Sequence, residues 1–291
     1  MNIEKKNMEP DALPDNTESV IRNTGIIWNK SKEEVWLEME KRIDSKNPDA
    51  RVIVMKRTWP KLAIAASVAI LAGLAAFMEL YTRTISTPAG QHAEVYLPDK
   101  SVVKMNAESE IAYKPFLWAF RREVIFEGEA YFDVKRGKQF IVLSGSGTTT
   151  VMGTSFNIYS RNNDYQVTCI SGKVKVQETA GSREVFLTPG QKSSFGETGA
   201  LIVESDIDTV QALAWLSNKF SFTSVPLRKV FEEIGRQYGI MIDVPPDIDY
   251  IYTGSFVKDI SAENVLKLVC RPFDLTFARK SEKEYAVSKN N

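Results

Sequence analysis

The run LAIAASVAILAGLAAFM, Leu62 to Met78, carries no charge in a 291-residue chain of which 25% is charged. Such a stretch is a buried core helix, a secretory signal or a membrane span. As a helix it would extend roughly 25 Å at about 1.5 Å per residue, against about 30 Å of bilayer hydrocarbon. Its flanks add what the run itself lacks. Trp59 before it and Tyr81 after it suit the two aromatic interface belts, and Lys61 can extend its ammonium outward along its own stem. From Trp59 to Tyr81 the segment is long enough to cross with some tilt. A signal peptide would place its apolar stretch nearer the N-terminus, where residues 1–22 are polar. A core helix would show a polar face, and here Ser67 is the only candidate. A transmembrane helix over 59–81 is therefore expected. Ala65, Ala69 and Gly73 recur on it every four residues, a small-residue stripe that would permit close helix packing.

The neighbouring charges give an orientation. Lys46, Arg51, Lys56, Arg57 and Lys61 crowd the N-terminal side, whereas Arg83 alone lies close on the other. Positive charge stays inside, so residues 1–58 are expected in the cytoplasm and 82–291 outside it. A single-pass layout with a short inner arm and a long outer portion suits a signal carrier or a tether.

The arm, residues 1–58, opens with a polar, proline-containing stretch of 24 residues that is expected to be disordered. SKEEVWLEMEKRID follows, with Ser31 and Glu34 spaced as a capping box. Val35, Trp36, Met39 and Ile43 then fall on one face, with Trp28 just upstream. A lone amphipathic helix has no core of its own, so its apolar face calls for a partner's groove or the membrane surface.

Beyond the apolar run the period changes to two. HAEVYLPDKSVVKM, REVIFEGEAYFDV, QFIVLSGSGTTTVMGTSFNIYS, YQVTCISGKVKV and REVFLTPGQKSSF alternate between turn signals. An all-β domain over 82–205 follows, either a sandwich or a stacked-hairpin solenoid. From Asp208 the 3.6 period returns. DTVQALAWLSN reads as a short helix, KFSFTSV as a strand, and PLRKVFEEIGRQYG as a helix with Pro226 at its first position and Gly239 closing it. IMIDV and IYTGSFV read as strands, Ser261 caps SAENVLKLVCR, and DLTFARK and EYAVS end the pattern. Residues 206–291 thus form an α+β module of order β-α-β-β-α-β-β.

Composition narrows the function. There are 37 basic and 37 acidic side chains and one histidine. A balanced charge with no basic recognition helix argues against direct nucleic-acid binding. The lone His92 cannot build a metal cluster and reads as a surface turn residue. SGSGTTT contains G-x-G without the strand-to-helix setting of a phosphate loop. Glu127 and Glu129 stand two apart in FEGEAYF, but the intervening Gly128 points to a turn or bulge rather than a catalytic pair. No enzyme, cofactor or metal is expected. Cys169 and Cys270 fall in different domains and read as buried thiols, although an oxidising compartment would permit a bridge.

STPAGQHAEVYLPDKSVVKMNAESEIAY, REVIFEGEAYFDV, FIVLSGSGTTTVMGTSFNIYS, ISGKVKV and LTPGQ, in that order, resemble the periplasmic domain of FecR-type anti-sigma factors. The distinctive blocks are EGEAYF, Glu127 to Phe132, and GTSFN, Gly153 to Asn157, with Glu127, Gly128, Glu129, Ala130, Phe132, Gly153, Thr154 and Phe156 as the motif residues. FSFTSVPLRKVFEEIGRQYGIMI, YTGSF and VLKLVCRPFDLTF resemble the module attached to this family, itself similar to the signalling domain of secretins and TonB-dependent receptors. The SKEEVW helix resembles the family's cytoplasmic part, though the arm is shorter than in many members.

The resemblance implies a single-pass inner-membrane regulator with its N-terminus in the cytoplasm. The arm would hold an extracytoplasmic-function sigma factor, with Trp28, Val35, Trp36, Met39 and Ile43 as the contact face. The outer domains would receive the signal of a TonB-dependent outer-membrane receptor, with regulatory proteases acting in between. The alternative is a membrane-anchored periplasmic glycan- or protein-binding module without a sigma partner, which would show an exposed aromatic platform on its sheet.

Overall fold

The computed structural model describes residues 29–45, 59–179, 183–195, 201–258 and 261–290; Trp28 and the first 24 residues lie outside them. The chain divides into two units, Met1–Ile64 and Ala65–Asn291.

In the first unit, helix α1 spans Lys32–Ser45. Its capping box is formed: the Glu34 N–H donates to Ser31 Oγ at 3.2 Å, and the Ser31 N–H to Glu34 Oε2 at 3.0 Å. Two of the donors at the helix start that lack an intrahelical partner are thereby satisfied. Helix α2, Trp59–Leu80, crosses from the first unit into the second and is long and apolar enough to span a membrane, with no buried residue. It stops one residue short of the expected Tyr81, whose N–H still closes the last turn on the Phe77 carbonyl at 2.9 Å.

The rest of the second unit is mostly β. Thirteen strands come first: β1 (Arg83–Thr87), β2 (Ala93–Tyr96), β3 (Val102–Met105), β4 (Ser109–Tyr113), β5 (Arg122–Asp133), β6 (Phe140–Leu143), β7 (Gly147–Val151), β8 (Ser155–Arg161), β9 (Asp164–Ser171), β10 (Val174–Glu178), β11 (Glu184–Leu187), β12 (Lys192–Phe195) and β13 (Leu201–Glu204). Of the two architectures left open by the sequence, this is the sandwich. One sheet runs β1-β4-β5-β6-β7-β10-β11 and the other β2-β3-β5-β8-β9-β12-β13, sharing β5.

Strand β5 changes sheet at Gly128. Its first half pairs with β4 through Glu110↔Glu127, and its second half with β8 from Gly128↔Ser160 onward. Gly128 holds φ +114, and a Cβ there would lie 2.6 Å from the Ser109 Cα. The glycine expected to mark a turn or bulge instead lets one strand serve both sheets. Both inner faces meet in one core, in which Phe132 stacks on Phe156 at 5.1 Å.

The C-terminal region is α+β. A short helix α3 (Thr209–Ala212) is capped by Asp208 and continues as a 3-10 turn over Ala214–Ser217. Then come β14 (Lys219–Pro226), α4 (Leu227–Tyr238), β15 (Met241–Asp243), β16 (Ile251–Val257), α5 (Ala262–Cys270), β17 (Leu275–Ser281) and β18 (Glu284–Lys289). β14 pairs with β16, while β15, β18 and β17 form a second sheet. Leu227, Val230, Phe231 and Ile234 of α4 and Val265, Leu266 and Val269 of α5 fill the core between them. Pro226 is not the first helical residue as expected. It is extended (φ −50, ψ 128), pairs with Ile251 and serves as the N-cap of α4, because β14 runs straight into the helix. Gly239 closes α4 in the left-handed conformation. Cys169 and Cys270 are buried, unpaired thiols, one in each core.

Candidate functional site: a polar junction between sandwich and C-terminal module

The β-sandwich carries a row of polar side chains where its surface meets helix α4. Asn106 follows β3, Glu129 lies just past the β5 crossing, and Asn157 and Arg161 lie on β8. Glu129 accepts two amide donors, Asn106 Nδ2 at 2.7 Å and Asn157 Nδ2 at 3.1 Å. Asn157 Oδ1 in turn accepts the Trp215 indole N–H at 3.4 Å from the 3-10 turn of the module. Asn106 Oδ1 accepts from Gln237 Nε2 of α4, and the same amide nitrogen donates to Glu233 Oε1 at 2.9 Å. Gln237 Oε1 receives Lys258 Nζ at 2.7 Å and faces His92 Nε2 at 3.2 Å. The His92 ring packs edge-on against Trp215 with centroids 5.5 Å apart. At the rim, Lys229 Nζ reaches Asp164 Oδ2 at 2.7 Å, and the Gly90 N–H donates to the Arg236 carbonyl at 2.8 Å.

Two half-buried carboxylates, Glu129 and Glu233, are thus joined in one network through Asn106 and Gln237. Burial first, and the Glu233 charge second, push the Glu129 carboxyl up to about 7, against the two amides that favour its charged form. Arg161 donates to the carbonyls of Ala107 at 2.6 Å and Glu108 at 2.7 Å, while its buried Nε has no partner. Burial, then the neighbouring Arg236 cation, lowers its basicity. Burial also lowers His92, with the Lys258 cation adding to it. Gln237, itself buried, holds both sides through one amide group, and such a network is costly to leave half-made. Beside it opens a cleft of about 690 Å³, bordered by β9, β14, Trp215 and α4.

The sequence-derived residues that the structure describes fall in four places. Glu129 is in this junction, whereas Glu127 stays exposed, so they are no carboxylate pair. Ala130, Phe132 and Phe156 are fully buried core, and Thr154 Oγ1 bonds the Lys173 carbonyl at 3.1 Å. Gly153 lies where a Cβ would come 2.7 Å from the Arg136 Cα. These motif residues shape the sandwich. Trp36, Met39 and Ile43 are exposed on α1, at 69%, 55% and 74%, and Val35 is half-buried. Ala65, Ala69 and Gly73 are exposed on α2, and nothing lies within 4 Å of a Cβ placed at Gly73.

Asn106, Trp215, Glu233 and Gln237 were not singled out in the sequence, and Asn157 stood out only as the last residue of the GTSFN block. The available signal was Gln237, a polar residue seven positions after Val230 and three after Ile234 on the apolar stripe of an amphipathic helix. Among the described residues no cluster of His, Cys, Asp or Glu could hold a metal ion, and nothing in the junction resembles a nucleophile with its base.

The sequence model of the FecR protein family matches residues 83–175, and the model described as FecR, C-terminal, matches 219–287. The junction lies where those two segments meet. Two crystal structures, each described as a candidate anti-sigma factor from Parabacteroides distasonis ATCC 8503, match with TM-scores of 0.67 and 0.66. Both are 27% identical, covering 72% of this chain and 100% of theirs. No curated relative matches the chain.

Proposed function

From the premise that the chain belongs to the FecR family, whose two domain models together span more than half of it, we propose that it is a single-pass anti-sigma factor. Its arm binds an extracytoplasmic-function sigma factor in the cytoplasm, and its β-rich portion receives the signal of a TonB-dependent outer-membrane receptor. Helix α2 anchors it in the inner membrane, and regulatory proteases are candidate intermediaries.

The observation that carries this reading is α1, which displays Trp36, Met39 and Ile43 to solvent. Aromatic side chains of this kind dominate binding hot spots, and truncating one costs roughly 2–4 kcal/mol. Trp28 and Val35 belong to the same proposed face. For the receptor, the fitting element is β14, which pairs with β16 and borders the cleft. An incoming strand would add to its other edge.

The test uses the full chain, purified in detergent with its sigma factor. Trp36→Ala should weaken the pair about 30-fold or more at unchanged abundance. Undiminished binding would remove α1 from the interface.

A further inference from the structure

The register of the sandwich brings several loops to one end. Arg83 of β1 pairs with Tyr113 of β4, Tyr113 with Val124 of β5, Arg122 with Phe140 of β6, and Phe140 with Val151 of β7. The exit of α2, the loop 114–121, the turn 134–139 and Met152 therefore share that end. The loop 114–121 is tied to the helix directly. Phe116 packs against Phe77 and Tyr81 with centroids 5.7 and 5.3 Å apart, and Lys114 Nζ meets Glu79 Oε1 at 3.1 Å.

The surface here has an unusual composition. Phe120 is 78% and Met152 65% exposed, two large apolar groups on neighbouring loops of one end rather than scattered singly. Around them stand exposed Arg121, Arg136 and Lys138. Lys138 Nζ folds back onto the Ala119 carbonyl at 3.3 Å, and the Gly137 N–H donates to the Met152 carbonyl at 2.9 Å, so the basic turn and both apolar groups are neighbours. Asp99 and Asp133, the carboxylates beside them, are already engaged by Arg122 and Lys135, Glu79 is engaged by Lys114, and Glu123 also lies near this end. Trp118 anchors the loop from below, edge-on to Tyr113 and Phe140.

We infer that this end of the sandwich is a membrane-interface foot, with Phe120 and Met152 inserted among the headgroups of the leaflet from which α2 emerges and Arg121, Arg136 and Lys138 on anionic lipid phosphates. It rests on reading α2 as a membrane span. Continuity with that helix and the charge of the surface both select a lipid bilayer as the occupant. Aromatic groups settle at the headgroup level, and basic residues beside them gain from an anionic surface. The foot fixes the sandwich against the bilayer and leaves the C-terminal module, at the opposite end of β1, directed away from it.

The test is depth measurement on the full chain in nanodiscs of phosphatidylcholine mixed with phosphatidylglycerol. Single spin labels are placed at Phe120→Cys, Met152→Cys, Leu71→Cys within α2 and Val210→Cys on the exposed α3; Cys169 and Cys270 are buried, so the new cysteines label selectively. The labels at 120 and 152 should show an oxygen-to-nickel-chelate accessibility ratio severalfold above that at 210. Joint reversal of Arg121, Arg136 and Lys138 to Glu should return the ratio at 120 to the value at 210. If 71 is shielded while 120 and 152 match 210, the foot is refuted and the span stands. If 71 itself is aqueous, the span reading fails and the foot with it.

Discussion

Glu129 offers the most quantitative test of the junction. Its carboxyl is raised from 4.5 to about 7, by burial and then by Glu233. A carboxyl raised on folding is held more tightly as the neutral acid in the native state. The stability it confers is complete below pH 4.5 and is lost as pH rises through about 7. At about 1.4 kcal/mol per tenfold change in proton affinity, the loss between pH 4 and pH 8 approaches about 3 kcal/mol. For a unit of some 200 residues this corresponds to roughly 6–12 °C in melting temperature. Glu129→Gln removes the titration. The amide leaves one of the two Asn donors facing an NH₂ group and adds a constant cost, so the difference in slope is the readout rather than the difference in stability.

His92 works in the opposite direction, since its lowered basicity makes its contribution present above pH 6.5 and lost as pH falls. It is common to both proteins, and Glu129 is not among the groups that shift it, so it cancels in the comparison. The assay is thermal unfolding of wild type and variant in detergent from pH 4 to 8. Wild-type stability should fall toward alkaline pH relative to Glu129→Gln across that window. Parallel curves would refute a buried carboxyl near neutrality.

Other consequences follow from the same contacts. Gly128→Ala should destabilise the sandwich by about 3 kcal/mol or more, because the intruded atom is the Ser109 backbone and the φ of +114 is unfavourable to any Cβ; chemical unfolding of purified protein measures it. Gln237→Leu should leave Asn106 Oδ1 and Lys258 Nζ without their shared partner and cost about 1–3 kcal/mol, seen as faster amide exchange in α4 with β11 unaffected. Ser31→Ala should reduce the helicity of α1 by about 1 kcal/mol, measured by circular dichroism of the arm peptide.

What was legible in the sequence was what periodicity and local chemistry write. The capping box of α1, the length of α2 and the alternation of helices and strands from Lys219 to Lys289 depend on residues within a few positions of one another. The short helix at Asp208 was half-right: Leu213 breaks it, and the remainder is a 3-10 turn whose Trp215 reaches across to Asn157. β13 was missed because LIVE, four residues long, has no alternation to display. The junction was illegible for a different reason. Asn106 and Gln237 are 131 residues apart, and no local pattern announces that two amides will meet. Gly128 was visible as an anomaly, but only β4, β8 and Ser109 packed around it reveal that the anomaly is a crossing between sheets.

The route from the junction to helix α2 is short, and its length makes the proposed signalling testable. Tyr81 packs on Phe116, β1 runs from Arg83 to Thr87 along five registered pairs with β4, and Gly90 then donates to the Arg236 carbonyl of α4. No flexible linker interrupts these ten residues. If displacement of the C-terminal module is what the arm senses, it must pass along this strand. A Gly-Ser-Gly-Ser insertion between Tyr81 and Arg83 should then leave sigma binding intact and abolish induction by the receptor's ligand, read with a sigma-dependent promoter reporter. A response undiminished by the insertion would refute transmission by displacement. It would assign the signal to a step that needs no stiff connection, such as exposure of the chain to cleavage when the module leaves Glu129 and Asn157 uncovered.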